Sequence, residues 1–190
     1  MIGSGFPAVL QDARSGDERA FVTMWREFHP PLLRYLRVVT GDSADDVASE
    51  TWAAVATSVD RFDGDEAAFR AWLFTVARRR AIDHFRRESR RPAVPVDPTA
   101  LGSASIPTTD DDPGDVVVTT IATETALALV ATLPPDQAEA VVLRAIADLD
   151  VAQVATIMRK RPGTVRVLAH RGLRELARRL SEEEHRAVTP

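Results

Sequence analysis

Apolar residues recur at three- and four-residue intervals along most of this chain, and no alternation of apolar and polar positions runs long enough for a strand. The pattern predicts an all-α protein. Phe21, Met24, Trp25 and Phe28 mark a first helix, interrupted near Pro30 and Pro31 and then continued by Leu32, Leu33 and Leu36. A break at Gly41-Asp42-Ser43 follows. Ser43 with Asp46 three residues on has the form of a capping box with Asp in place of Glu, and it opens a helix carrying Val47, Trp52, Val55 and Val59. The loop from Asp60 to Asp65 leads into a long helix that includes residues 69 to 87.

The C-terminal half repeats the theme with shorter pieces. Leu127, Leu129 and Val130 close one helix before Leu133-Pro134-Pro135-Asp136, where Pro135 suits the first position of a second helix bearing Ala138, Val141, Val142 and Ile146. Asp150 can cap a third, with Val151, Val154, Ala155 and Met158 inside. After Arg159-Lys160-Arg161 a fourth starts at Pro162 and runs to about Leu180. A short helix, a tight basic turn and a longer helix form helix-turn-helix spacing. In the last helix Val165, Ala169, Gly172, Leu173, Leu176 and Leu180 share one arc, expected to be core, with Gly172 marking a close helix approach. Thr164, Val167, His170, Arg171, Arg174 and Arg178 share the opposite arc, with Arg166 at its border.

Residues 92–118 hold five prolines, two glycines and the run Asp110 to Asp112, with little apolar periodicity before Val116. This is the composition of a linker. It divides an N-terminal domain of residues 15–91 from a C-terminal domain of residues 119–181. The tail from Ser181 to Pro190 is expected to fray.

Charge changes the picture only once it is divided along the chain. The 190 residues carry 24 Lys and Arg against 28 Asp and Glu, a net charge of −4. Residues 61–92 nevertheless hold nine basic against five acidic side chains, and residues 159–190 nine against four. Residues 127–158 hold one against four. Basic blocks thus alternate with acidic ones, as expected if separate patches touch nucleic acid while others face a protein or repel the duplex. Cysteine is absent, so no disulfide framework and no thiolate chemistry are available. No apolar run is long enough for a membrane span and the N-terminus lacks a secretion pattern, which points to a cytoplasmic location without membrane insertion. His29, His84, His170 and His185 have no metal-ligand spacing, and no phosphate-binding glycine loop or nucleophile motif is present. An enzyme, a metal site and a bound cofactor are therefore not expected.

The helix from Phe69 to Arg87 joins an aromatic cluster to six arginines. Positions seven apart drift by only about 20°, so Trp72, Arg79 and Arg86 form one stripe, with Val76, Arg80 and Arg87 beside it. A flat ring offers a platform on which any base can stack, and guanidinium groups neutralise phosphates and release counterions. The plainer reading is a buried aromatic end followed by a solvated charged end, with Asp83 pairing with Arg79 and Arg87.

In their order along the chain these segments resemble the extracytoplasmic-function (ECF, group 4) sigma factors of the sigma-70 family, the small two-domain promoter-recognition subunits of bacterial RNA polymerase. Residues 21–40 resemble the family's region 2.1, and Ala44-Asp45-Asp46-Val47-Ala48-Ser49-Glu50-Thr51-Trp52 resembles region 2.2. Phe69 to Arg87 is similar to regions 2.3 and 2.4, and Leu133-Pro134-Pro135-Asp136-Gln137 through Arg171 to region 4. The resemblance implies two helical domains, with sigma region 2 in residues 15–91 and a helix-turn-helix region 4 in residues 119–181. It also implies that the protein binds RNA polymerase core and directs promoter-specific initiation.

Roles follow position by position. Asp45, Asp46, Glu50, Thr51 and Trp52 would meet the clamp helices of the polymerase β′ subunit, with plain core packing the equal alternative for Trp52, and region 4 would meet the β flap. Residues 60–87 would open and hold the minus-10 strand through Arg61, Phe62, Asp63, Trp72, Val76, Arg79, Arg80, Arg86 and Arg87. Helix 162–180 and the turn before it would read the minus-35 duplex through Arg159, Lys160, Arg161, Thr164, Arg166, Val167, His170, Arg171 and Arg174. The acidic linker would thread the polymerase, and an anti-sigma factor is an expected partner. The family often has Asn and Leu at Arg79 and Arg80, Gly at Arg159, and Ser-Arg at Val167-Leu168, differences that bear on promoter sequence. The alternative is a conventional helix-turn-helix regulator whose N-terminal half is a sensing or dimerisation module, binding palindromic DNA without polymerase.

Overall fold

The computed structural model describes residues 1–90 and 124–188, with side chains to residue 182, and the expected linker 92–118 lies outside the described residues. Every regular element among them is helical: α1 (Phe6–Arg14), α2 (Glu18–Thr40), α3 (Ala44–Ala56), α4 (Glu66–Glu88), α5 (residues 124–131), α6 (Pro135–Ala145), α7 (Val151–Met158) and α8 (Pro162–Val188). No helix of the described residues is long and apolar enough to cross a membrane.

The helix ends show how local chemistry sets the elements. Asp17 caps α2 by accepting from the Ala20 amide at 2.9 Å, and Asp65 caps α4 by accepting from the Ala68 amide at 2.8 Å. Asp150 and Gln153 form a reciprocal capping box on α7, and Pro135 opens α6 as expected. Ser43 departs from expectation. It sits at the N-cap of α3 without a side-chain hydrogen bond, so Asp45 and Asp46 support that end through the helix dipole instead.

Three further expectations are corrected. The helix of residues 18–40 is not interrupted at the prolines, because α2 runs through Pro30 and Pro31 without a break. Met24, Phe28, Leu32, Tyr35 and Leu36 are buried on both sides of the pair, and Pro30 lies on the exposed face, where water can reach the carbonyl left without a donor. The N-terminal domain does not begin at residue 15. Phe6, Leu10 and Ala13 recur at helical spacing, and α1 buries all three against α2. At the other end α8 continues past Leu180 to Val188, supported by ion pairs of Arg178 with Glu175 and Glu182 one turn away on either side.

Phe69 is at the centre of the N-terminal core. Its ring lies 5.7 Å from Phe6, 5.0 Å from Phe28, 5.4 Å from Phe62 and 5.6 Å from Trp72, tying α1, α2 and the loop before α4 to α4 itself. The C-terminal helices pack around α6 and α8. A Cβ on Gly172 would fall 2.7 Å from Val141 Cγ2, the close approach that its position on the core arc implied. The two halves also touch: α6 packs on α2 and α7 on α4.

Because buried Phe6 packs against both Phe28 and Phe69, Phe6→Ala is expected to destabilise the protein by about 3–5 kcal/mol, as for other buried Phe truncations. Urea unfolding measures this. An unchanged midpoint would remove α1 from the core.

Candidate nucleic-acid interface

Turn η3 (Val59–Arg61) packs against α1, and the loop after it folds back over the start of α4 through Phe62. Phe62 stacks on Trp72 at 5.1 Å and 29°, and Gly64 permits the fold-back, since a Cβ there would lie 2.9 Å from both Phe62 Cζ and Ala68 Cβ. With the ring of Phe62 against one side of Trp72, the loop, the end of α3 and one flank of α4 enclose an open groove. It is lined by Arg61, Phe62, Asp63, Trp72, Val76, Arg79 and Arg80, seven of the nine residues expected on the minus-10 strand. Ala54, Thr57, Ser58 and Asp83 complete it. Aromatic surface, guanidinium groups and an exposed carboxylate acceptor at Asp63 therefore converge, which is the equipment for a single strand with an extruded base.

Arg86 and Arg87 stand apart from this groove. Arg86 lies 3.7 Å from the Asp83 carboxylate, whereas Arg87 reaches only the Asp83 main-chain oxygen and directs its guanidinium to both Glu50 oxygens at 2.8 Å. Asp83 thus pairs with Arg86, not with Arg79 or Arg87. Arg87, Glu50, Asp46 and His84 line a second, charged groove between α3 and α4.

The outer face of α3 presents Asp45, Asp46, Ser49 and Glu50. Thr51 and Trp52, expected at the same protein-facing surface, are buried instead. The Thr51 hydroxyl donates to the Val47 carbonyl at 2.7 Å, and Trp52 Nε1 donates to His29 Nδ1 at 3.2 Å with Phe21 edge-on at 5.8 Å. The signal was present in the sequence, since positions 44, 48, 51 and 55 share one helical face that must be core. Trp25, counted among the helix-marking apolar residues, is 41% exposed and lies flat on His29 at 4.5 Å. Burial lowers the pKa of His29, Asp45 opposes the shift and Arg37 adds to it.

In the C-terminal half Arg159 ends α7 at φ 54°, the left-handed region where glycine is favoured. Lys160 is held by Asp136 at 2.9 Å, so it is engaged within its own half, while Arg161 is exposed. Thr164, Arg166, Val167, His170, Arg171 and Arg174 are exposed together on α8, and the last five line a shallow groove with Glu175 and Arg178. Arg178 is neutralised by Glu175 and Glu182. Hydrogen bonds from Arg178 and Arg179 hold the Glu175 carboxyl down at about 2. The opposite arc is narrower than expected: Leu173 and Leu180 are 54% and 49% exposed. They lie some 60–80° around the helix from Val165, beyond the strip that α6 and α7 cover.

Several features carried no recognisable signal in the sequence. Arg70 and Arg78, two of the six arginines of α4, face the C-terminal half rather than the groove, paired with Asp148 at 3.2 Å and Glu139 at 2.7 Å. Only the relative placement of the two halves reveals this.

The chain matches Sigma-70 region 2 over residues 24–91 and Sigma-70, region 4 over residues 123–176. It is 31% identical over 186 residues to the ECF RNA polymerase sigma factor ShbA of Streptomyces griseus, covering 93% of this chain and 95% of that protein. It is 30% identical over 177 residues to the ECF RNA polymerase sigma factor BldN of Streptomyces coelicolor, covering 92% of this chain and 66% of BldN. In fold it is similar to CnrH, solved in complex with the cytosolic domain of CnrY, with a TM-score of 0.63, 20% identity and 94% and 99% of the two chains covered. It is likewise similar to the sigma factor RpoE in complex with the anti-sigma factor NepR from Bartonella quintana, with a TM-score of 0.59, 21% identity and 85% and 96% coverage.

His29 gives this region an acid-side dependence. Its folded pKa lies below the ordinary 6.5, so the unfolded chain takes up the proton first. The stability held above that value is then lost as pH falls through the depressed folded one. His29→Gln keeps an acceptor for Trp52 but cannot titrate. Thermal melts at about pH 7.5 and about pH 5 are expected to show a smaller acid loss for the variant than for the parent. Equal losses would remove His29 from the account.

Proposed function

This chain belongs to the ECF RNA polymerase sigma factors, and we propose that it binds core polymerase and directs initiation by gripping a promoter at two separate places. The exposed arc of α8 reads the minus-35 duplex. Arg166, Arg171 and Arg174 supply charge and donors, and Val167 offers apolar contact suited to a thymine methyl. The groove enclosed by the loop after η3, the end of α3 and one flank of α4 holds the opened minus-10 strand.

The observation that carries this reading is the convergence of Arg61, Phe62, Asp63, Trp72, Val76, Arg79 and Arg80 in one groove. Lifting a base from the stack costs a few kcal/mol, which stacking of about 1–3 kcal/mol per base on an aromatic ring offsets. Trp72 provides such a ring and Phe62 holds it in place. Arg79 and Arg80, about two turns along α4 from Trp72, suit the phosphates, so strand capture should weaken as salt rises. The acidic face of Asp45, Asp46 and Glu50 suits a basic surface such as the β′ clamp helices, and the β flap is the partner proposed for the C-terminal half. An anti-sigma factor is the proposed regulator. No step here forms or breaks a covalent bond, and the site of action is the cytoplasm, where polymerase and promoter meet.

Transcription from its own promoters is expected only when core polymerase is added. Trp72→Ala should lower open-complex formation roughly tenfold while leaving closed-complex binding within about twofold, from the stacking term alone. Arg171→Ala should do the reverse. Permanganate footprinting separates the two steps from gel-shift binding. Equal loss of both with Trp72→Ala would remove the strand-capture role, and tight palindromic binding without polymerase would replace the sigma reading by that of a conventional regulator.

A further inference from the structure

Ile2 and Gly3 are tied to the start of α4, more than sixty positions away along the chain. Glu66, the first residue of α4, has a side chain only 13% exposed, and its carboxylate accepts from three donors. Oε1 takes the Ile2 amide at 3.3 Å and Arg70 Nη2 at 3.5 Å, and Oε2 takes the Gly3 amide at 2.7 Å. Ile2 is right-handed and Gly3 lies at φ 66°, an alternation that turns successive amides to one side and that glycine adopts without strain. Ile2 packs against the edge of the core, and α1 begins at Phe6.

This hook and α1 hold the loop of the groove at both of its ends. α1 packs against η3, where the loop begins, and Glu66 fixes the helix start where it ends. From below, Phe6 meets Phe69, which in turn meets Phe62 and Trp72. Arg61 and Asp63 themselves are exposed, so their placement depends on what anchors the backbone to either side. No residue of 1–14 lines the groove, and all of them precede residue 24, where the similarity to Sigma-70 region 2 starts. We propose that residues 1–14 are a brace that holds residues 61–63 in the form that captures the opened strand, with Glu66 as the positioning residue that anchors it.

The proposal rests on the promoter reading above for its meaning, while the brace itself is a property of the free chain. Ordering a loop costs conformational entropy, and a loop ordered before the strand arrives does not incur that cost at capture. The step that benefits is the extrusion of a base, because the pocket that offsets unstacking has to be in place when the base leaves the duplex. Duplex reading by α8, in the other half, does not draw on this loop. Glu66 also suits the positive end of the α4 dipole. The two roles differ in what they demand: the dipole needs only a negative charge at that position, whereas the hook needs the full length of the Glu side chain to reach both amides. Glu66→Asp keeps the charge and shortens the reach.

The chain lacks cysteine, so Asp60→Cys, exposed in η3, gives a single site for a nitroxide label whose nanosecond mobility reports the loop in the full-length free protein. Mobility is expected to rise in Glu66→Asp and in Gly3→Pro, which has no amide to donate, and to rise less in Glu66→Gln, which keeps the length and one acceptor. Far-UV circular dichroism should not change. In the unlabelled proteins with core polymerase, Glu66→Asp and Gly3→Pro should each lower open-complex formation about fivefold or more, with closed-complex binding within about twofold of the parent. Permanganate footprinting and gel shifts read the two steps. Parent-level mobility in both Glu66→Asp and Gly3→Pro would overturn the brace and leave Glu66 a partner of the helix dipole. A loosened loop with normal opening, or with opening and closed-complex binding lost in step, would overturn its role in strand capture. Variants that loosen the loop of a parent unable to start transcription would sustain the brace and sink the promoter reading.

Discussion

Packing around the ring of Phe69 constrains everything else in the N-terminal half. Phe6, Phe28, Phe62 and Trp72 each approach it from a different segment, so one buried aromatic sets the position of α1, the depth of α2 and the fold-back of the loop before α4. It also sets the rotation of α4. With Phe69, Leu73, Ala77 and Ala81 turned inward, Trp72, Val76, Arg79 and Arg80 fall on one flank and Arg70 and Arg78 on another. A rotation of one position would mix the two sets. The division of α4 into a flank that lines the groove and a flank facing the other half is thus a consequence of core packing.

Electrostatics then works on that fixed frame. The net charge of −4 hides an arrangement in which carboxylates of one element meet cations of another: Glu50 with Arg87, Glu139 with Arg78, Asp148 with Arg70 and Asp136 with Lys160. Three of these four pairs have at least one exposed partner and add little stability individually. They decide instead which cations remain free. Arg79, Arg80, Arg166, Arg171 and Arg174 make no ion pair among the described residues, and they line the two grooves proposed for DNA. Arg87 and Lys160, expected from the sequence to touch DNA, are already engaged by carboxylates.

Much of this was legible because it depends on local rules. The cap at Asp150, the start of α6 at Pro135 and the close approach at Gly172 were read from side-chain chemistry within a few residues, and the caps at Asp17 and Asp65, found in the structure, obey the same local rule. The errors arose where distant contacts overrule local preference. Two prolines end a helix in isolation, yet α2 is buried on both sides of them. Leu173 and Leu180 belong to an apolar arc on a helical wheel, yet α6 and α7 are too narrow to cover them. Thr51 was placed by resemblance on a docking surface although its helical phase puts it in the core, and of the two readings of Trp52 the structure bears out core packing.

By itself the sequence determined an all-helical chain, a basic and aromatic helix, a helix-turn-helix, and the candidate residues of two grooves, because periodicity, caps and motif spacing are properties of short segments. Only the tertiary structure decided which arginines of α4 face a groove and which face Glu139 and Asp148. It alone brought Tyr35 and Arg78 to one carboxylate of α6. Those residues lie 104 and 61 positions away from Glu139 along the chain. No local pattern encodes such a meeting, which arises when separate apolar surfaces leave water together and carry their polar groups into register.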